Sequence, residues 1–136
     1  MEILDSHLSL VLKRCGFVGP TKHVWIKGSL GYSLFIHKEE RFTTAPESED
    51  HKIPAPYIVQ AIEWLENNAE LFIIYNLTDN NGFEFQLKHR SSEAIETIKI
   101  RPYTYSKTHG TKKMLAYALD WLSEKYSYHH NADKHI

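Results

Sequence analysis

At 136 residues, with 42% apolar and 24% charged side chains, the composition is that of one folded domain and excludes a disordered chain. No apolar run approaches the ~20 residues of a membrane span, and the start, Met1-Glu2-Ile3-Leu4-Asp5, lacks the basic region of a secretory signal. A single cysteine, Cys15, excludes an internal disulfide framework, so a cytoplasmic protein is expected.

Residues 3–15 read as an amphipathic helix. Leu4, Leu8, Val11, Leu12 and Cys15 recur at helical spacing, Asp5 or Ser6 can cap the start, and Gly16 stands where a left-handed residue closes a helix. Cys15 reads as a small buried side chain rather than a nucleophile, because the C-terminal end of a helix disfavours a thiolate. Two strands come next, about 22–27 and 31–37, joined through Gly28-Ser29-Leu30-Gly31. Residues 39–55, charged and proline-containing, read as a long mobile loop.

Pro56 suits the first turn of a second helix, whose stripe is Ile58, Ala61, Ile62 and Leu65 and which ends at Asn67-Asn68. Leu71-Phe72-Ile73-Ile74-Tyr75 is an apolar run suited to a strand covered on both faces. Thr78-Asp79-Asn80-Asn81-Gly82 is a turn, and Phe83, Phe85 and Leu87 alternate with Glu84, Gln86 and Lys88 in the returning strand. A further strand spans about 95–105. A last helix, about 110–127, carries Leu115, Ala118, Leu119, Leu122 and Tyr126 on one face, with Met114, Tyr117 and Trp121 beside it. Residues 129–136 read as a polar, flexible tail.

The predicted fold is α+β in the order α-β-β-α-β-β-β-α, one globular domain over residues 1–128, with a largely antiparallel five-stranded sheet and helices mainly on one face. Ala61-Ile62-Glu63-Trp64-Leu65 echoes Ala118-Leu119-Asp120-Trp121-Leu122. Two helices docking through the same stripe account for that more simply than a duplicated unit.

The net charge of −1 hides an asymmetry. Residues 1–87 carry seven Lys/Arg against twelve Asp/Glu, whereas residues 88–113 carry seven against two. Strand periodicity puts Lys99, Arg101, Tyr103 and Tyr105 on one side of the 95–105 strand, with Ile98, Ile100, Pro102 and Thr104 on the other, against a core. The row runs on into Lys107, His109, Gly110, Thr111, Lys112 and Lys113 at the predicted start of the last helix, where free N–H groups and the helix dipole attract anions.

These ten residues form the candidate site. Cations that hold phosphates beside rings that stack on bases are the chemistry of single-strand binding, so a non-catalytic module for nucleic acid or another phosphate-bearing ligand is the leading expectation. The alternative is a protein-interaction module of the inhibitor, immunity or chaperone type, with Trp25, Phe35, Tyr103 and Tyr105 as an aromatic patch and Arg101 as an anchor. The expected partners are a nucleic acid or a protein, with a homodimer as a third arrangement and no membrane. Glu39, Glu40, Glu47, Glu49 and Asp50 would cancel the site if they folded over the Lys-Arg row.

Enzymatic readings are weaker. Asp79, Glu84 and Lys88 depart from the acid-x-Lys spacing with which metal-dependent nucleases place carboxylates beside a lysine. His-x-Ser/Thr triplets at His7, His89 and His109 exceed chance too little to mark a two-histidine phosphoesterase. His129, His130, Asp133 and His135 would need a flexible tail held in a tetrahedron to ligate zinc. No catalytic residue, cofactor or metal is expected.

Overall fold

The computed structural model describes residues 1–43 and 50–134. Its elements run α1 (Ser6–Arg14), β1 (Thr21–Gly28), β2 (Gly31–Arg41), β3 (Lys52–Ala55), α2 (Ile58–Ala69), β4 (Leu71–Leu77), β5 (Phe83–Arg90), β6 (Ile95–Thr104) and α3 (Lys107–Lys134). The chain forms two compact units, Met1–Ala61 with the end of the chain from Tyr126, and Ile62–Lys125. No described helix is long and apolar enough to cross a membrane.

The class is α+β, as expected, but two three-stranded antiparallel sheets replace the single five-stranded one, ordered β2-β1-β3 and β4-β5-β6. The cause is β3, an additional strand inside the expected 39–55 loop. Prolines at 54 and 56 hide it from a propensity reading. Pro54 nonetheless pairs with Val24, which is tolerated because β3 is an edge that owes no N–H to a further neighbour. With both sides of β1 occupied, the later strands pair with their sequence neighbours, the arrangement with the least loop-closure entropy. The rest of the expected loop divides among the end of β2, the irregular residues 42–43 and 50–51, and residues 44–49, which lie outside the described residues.

In the first unit, Asp5 caps α1 by accepting from the Leu8 N–H at 2.8 Å. The helix closes where Gly16 adopts φ 114°, with the Phe17 N–H on the Leu12 carbonyl at 3.1 Å and the Gly16 N–H on Lys13 at 2.9 Å, the paired bonds of a Schellman cap. β1 and β2 form a tight hairpin closed by Gly28 opposite Gly31, whose φ is 118°. One face of this sheet presents Trp25 beside Ile53, and the indole Nε1 donates to the Leu4 carbonyl at 3.1 Å. The Lys13 ammonium donates to the Lys52 carbonyl at 3.2 Å, tying α1 to β3. Leu4, Leu12, Phe17, Val24, Ile53, Ala55 and Ala61 are the buried apolar residues here.

In the second unit, α2 ends where Glu70 turns left-handed at φ 53°, and its carboxylate takes two bonds from Arg90 at 2.9 and 2.6 Å. The β4–β5 turn is closed by Thr78, whose N–H donates to the Gly82 carbonyl and whose Oγ1 accepts from the Gly82 N–H. Phe85, Leu87, Met114, Leu115, Ala118 and Leu119 are fully buried. α3 crosses the face of β5: Gly110 abuts Phe85 and Trp121 lies 4.8 Å from the His89 ring. α3 extends beyond the expected 110–127 at both ends, so the backbone of 129–134, read as a tail, is helical. The two sheets are wired differently, with the first strand central in one and the second in the other. The Ala-x-x-Trp-Leu echo therefore marks a shared helix stripe.

Candidate ligand-binding flank of the second unit

β6 ends at Thr104, Tyr105 and Ser106 turn the chain, and α3 starts at Lys107. Ser106 caps the helix: its Oγ accepts from the His109 N–H at 3.2 Å and its carbonyl from the Gly110 N–H at 3.0 Å. The helix thus begins three residues before the predicted start. That shift moves Gly110 out of a turn and into the helix, buried against β5, where a Cβ would overlap the Phe85 ring. Thr111 turns its hydroxyl onto the Lys107 carbonyl at 2.8 Å. Both residues are engaged within α3.

Two bulges in β6 decide where its cations point. Leu87 pairs with Lys99 but Lys88 with Thr97, and Phe85 pairs with Arg101 but Phe83 with Thr104. Each step inserts one residue into β6 and reverses the facing of the residues beyond it. Lys99 and Arg101 therefore share the helix side of the sheet with buried Leu87 and Phe85. Ile100, opposite Gln86 on the other face, is 52% exposed, and Thr104 is buried beside Phe83. This corrects the expectation that Lys99 and Arg101 lie on the open face and that Ile100 and Pro102 cover a core, whereas Thr104 is buried and Tyr103 and Tyr105 are exposed as expected.

Because β6 is an edge, these cations still reach solvent. The Lys99 ammonium stands 4.7 Å from the centre of the Tyr117 ring. Lys113, exposed, lies one turn before Tyr117 on the same side of α3. Arg101 is half-buried, and its Nε donates to Thr104 Oγ1 at 3.0 Å. That bond fixes the guanidinium plane and leaves the two Nη groups without a partner among the described residues. The Lys99 ammonium thus meets the Tyr117 ring, with Lys113 one turn earlier on α3 and Arg101 two residues further along β6. The sequence grouped Tyr117 with the docking stripe; a tyrosine beside, not on, the buried stripe was its only signal.

A second cluster sits at the turn. Tyr103 lies over Gly82, where no Cβ would fit, and its hydroxyl donates to the Asn80 carbonyl at 3.3 Å. Its phenol is pushed above the ordinary tyrosine range, first by partial removal from water and then by the Tyr105 hydroxyl. Tyr105 meets it edge-on at 4.9 Å and is 81% exposed. The Lys107 ammonium lies 4.4 Å from the centre of the Tyr75 ring. His109 and Lys112 are also exposed, and Lys112 is engaged elsewhere in the protein.

Ion pairs among the described residues include Arg14–Asp50 at 2.7 Å, Arg90–Glu70 at 2.6 Å and His89–Glu96 at 3.7 Å. None involves Lys99, Arg101, Lys107 or Lys113. Of the acidic residues that could have neutralised them, Asp50 holds Arg14, Glu39 and Glu40 belong to β2, and Glu47 and Glu49 lie outside the described residues.

The weaker sequence candidates have other surroundings. Asp79 is exposed in the β4–β5 turn, and Glu84 accepts from Gln86 Nε2 at 3.0 Å. His89 rests on Trp121, and His7 is exposed on α1. The side chains of His129, His130, Asp133 and His135 fall outside the described ones. No protein family, curated sequence or solved structure matches the chain.

Proposed function

We propose that the protein is a non-catalytic module that binds single-stranded nucleic acid along the flank between β6 and α3. Lys99, Arg101 and Lys113 would hold successive phosphates, Lys107 one more at the turn, and Tyr105 and Tyr117 offer faces to bases. The observation that carries this reading is that Lys99 and Lys107 stand over the Tyr117 and Tyr75 rings and that none of the four cations enters an ion pair among the described residues, while ion pairs form elsewhere. A cation left unpaired beside an aromatic face remains available to a phosphate.

The test is fluorescence anisotropy of a short labelled oligonucleotide across a salt series. Four phosphate contacts on a single strand give a slope of log affinity against log salt of about −2.8, at roughly −0.7 for each. Tyr105→Ala removes one stacked base, worth ~1–3 kcal/mol, and weakens binding by roughly five- to a hundredfold. Absence of binding at low salt, or a flat salt dependence, refutes the proposal.

One observation favours a protein partner instead. β2 is an edge strand that exposes Leu34, Phe35 and Ile36 in succession, and such edges pair readily with another extended chain. On that reading a partner is recovered whose binding is insensitive to salt and is lost on Phe35→Lys.

A further inference from the structure

The first unit carries a cleft that the flank reading does not use. It is about 250 Å³ in volume and opens on the face of sheet β2-β1-β3 away from Trp25. Val24 and Ile26, two residues apart on β1, form its floor, and Lys52 enters from β3, where it pairs with Ile26. The opposite wall is built by an irregularity in β2. Thr21 pairs with Arg41 but His23 with Ile36, so four residues of β2 pass one residue of β1, and His37 and Arg41 both come to line the cleft.

That wall is held in place. The Thr43 N–H donates to the Val18 carbonyl at 2.7 Å. Gly19, at φ 110°, brings its backbone so close to Arg41 that a Cβ would stand 2.9 Å from the Arg41 carbonyl oxygen. Only glycine permits both that conformation and that approach.

The lining joins two chemistries. Val24 is 3% exposed, whereas Phe42, beside it, leaves 62% of its surface in water. At the rim, His37, Arg41 and Lys52 gather three basic groups with the Thr43 hydroxyl, and no ion pair among the described residues uses them. An arginine fork, a lysine point charge and a hydroxyl are the donor set of a phosphate ester, which the fork can take with two bonds. The volume is just under the ~300 Å³ at which pockets for drug-sized molecules begin, which limits the apolar body to about one ring.

We infer that this cleft binds a small organic phosphate monoester, its phosphate on Arg41, Lys52 and Thr43 and its ring between Phe42 and the Val24–Ile26 floor. The inference is independent of the flank on the second unit.

The experiment is a titration of the full chain with phenyl phosphate, followed by amide chemical shifts at low salt, with inorganic phosphate and benzyl alcohol as half-ligands. Phenyl phosphate should shift amides of residues 24–26, 41–43 and 52, and bind at least tenfold more tightly than either half-ligand. Arg41→Gln and Lys52→Gln should each weaken it by about tenfold, as expected on loss of a charge-assisted bond. Phe42→Ala should weaken phenyl phosphate and leave inorganic phosphate unchanged. The inference is overturned if inorganic phosphate binds as tightly as phenyl phosphate, if the shifts lie elsewhere, or if Arg41→Gln, folded by circular dichroism, binds like the parent.

Discussion

Gly110 separates two accounts of the same stretch, because a phosphate cradle and a packing contact respond differently to one methyl group. In an exposed helix, Gly→Ala stabilises by ~1 kcal/mol through propensity. Here the new Cβ would overlap the Phe85 ring. That ring is fully buried, with Tyr75 and Phe83 at centroid distances of 5.8 and 6.3 Å, so it has nowhere to retreat. Overpacking of a tight core costs ~1–3 kcal/mol, and a blocked ring places this site at the upper end. Subtracting the propensity gain leaves a net loss of ~2 kcal/mol for Gly110→Ala, a fall in melting temperature of roughly 6–10 °C for a chain of this length. Urea denaturation of parent and variant measures it directly. Gly82→Ala is the internal control. Its Cβ would also overlap a ring, that of Tyr103, but this ring is 39% exposed and can swing outward, so the cost should stay under ~1 kcal/mol. If Gly110→Ala is as stable as the parent or more so, the close approach of α3 to β5 is refuted.

Other consequences can be measured on the same footing. The double variant Lys99→Gln/Arg101→Gln should reduce the magnitude of the oligonucleotide salt slope by about 1.4, or 0.7 per lost contact, with little change in melting temperature; an unchanged slope removes both residues from the path. Burial pushes the Cys15 thiol up to about 11, so alkylation by iodoacetamide at pH 8 should run roughly a hundredfold slower than in the unfolded chain, in proportion to the thiolate fraction. Since the folded pKa lies above the unfolded one, this group's contribution to stability is complete below the ordinary thiol range and is lost as pH climbs towards about 11. Alkaline destabilisation should therefore be smaller in Cys15→Ala. Asp5→Ala should cost ~1 kcal/mol by removing the α1 cap, with Asp5→Asn retaining most of it.

Local signals with a single physical reading carried through to the structure. Asp5 and Gly16 delimit α1 as cap chemistry requires. Gly28 and Gly31 close the first hairpin, and Thr78 to Gly82 close the second. The illegible features depended on contacts remote in sequence. β3 is four residues long and contains a proline, so its existence follows from the vacant side of β1 rather than from its own composition. The start of α3 reads too late from the sequence because Gly110 resembles a boundary, whereas Ser106 four residues earlier is the actual cap. The candidate flank was half legible: its cations were identifiable by type, but their facing depended on bulges that no period-2 pattern records.

Those bulges connect the two candidate sites by a common physical cause. A strand with strict alternation divides its side chains between a buried and a solvated face, and a cation on the buried face is costly. β6 escapes that division by inserting one residue at each of two places, which brings Lys99 and Arg101 to the helix side at an edge where their charged ends still meet water, Lys99 beside the Tyr117 ring. β2 does so by inserting several residues between Ile36 and Arg41, which brings His37 and Arg41 to an apolar floor with Lys52 across from them. In both strands the irregularity gives up ladder hydrogen bonds to set positive charge beside aromatic or aliphatic surface, without a carboxylate to answer it among the described residues. A fold selected for stability alone has no use for that juxtaposition, while an anion with an apolar body satisfies both halves at once. The places where the simple strand pattern fails are therefore the places where binding is to be sought.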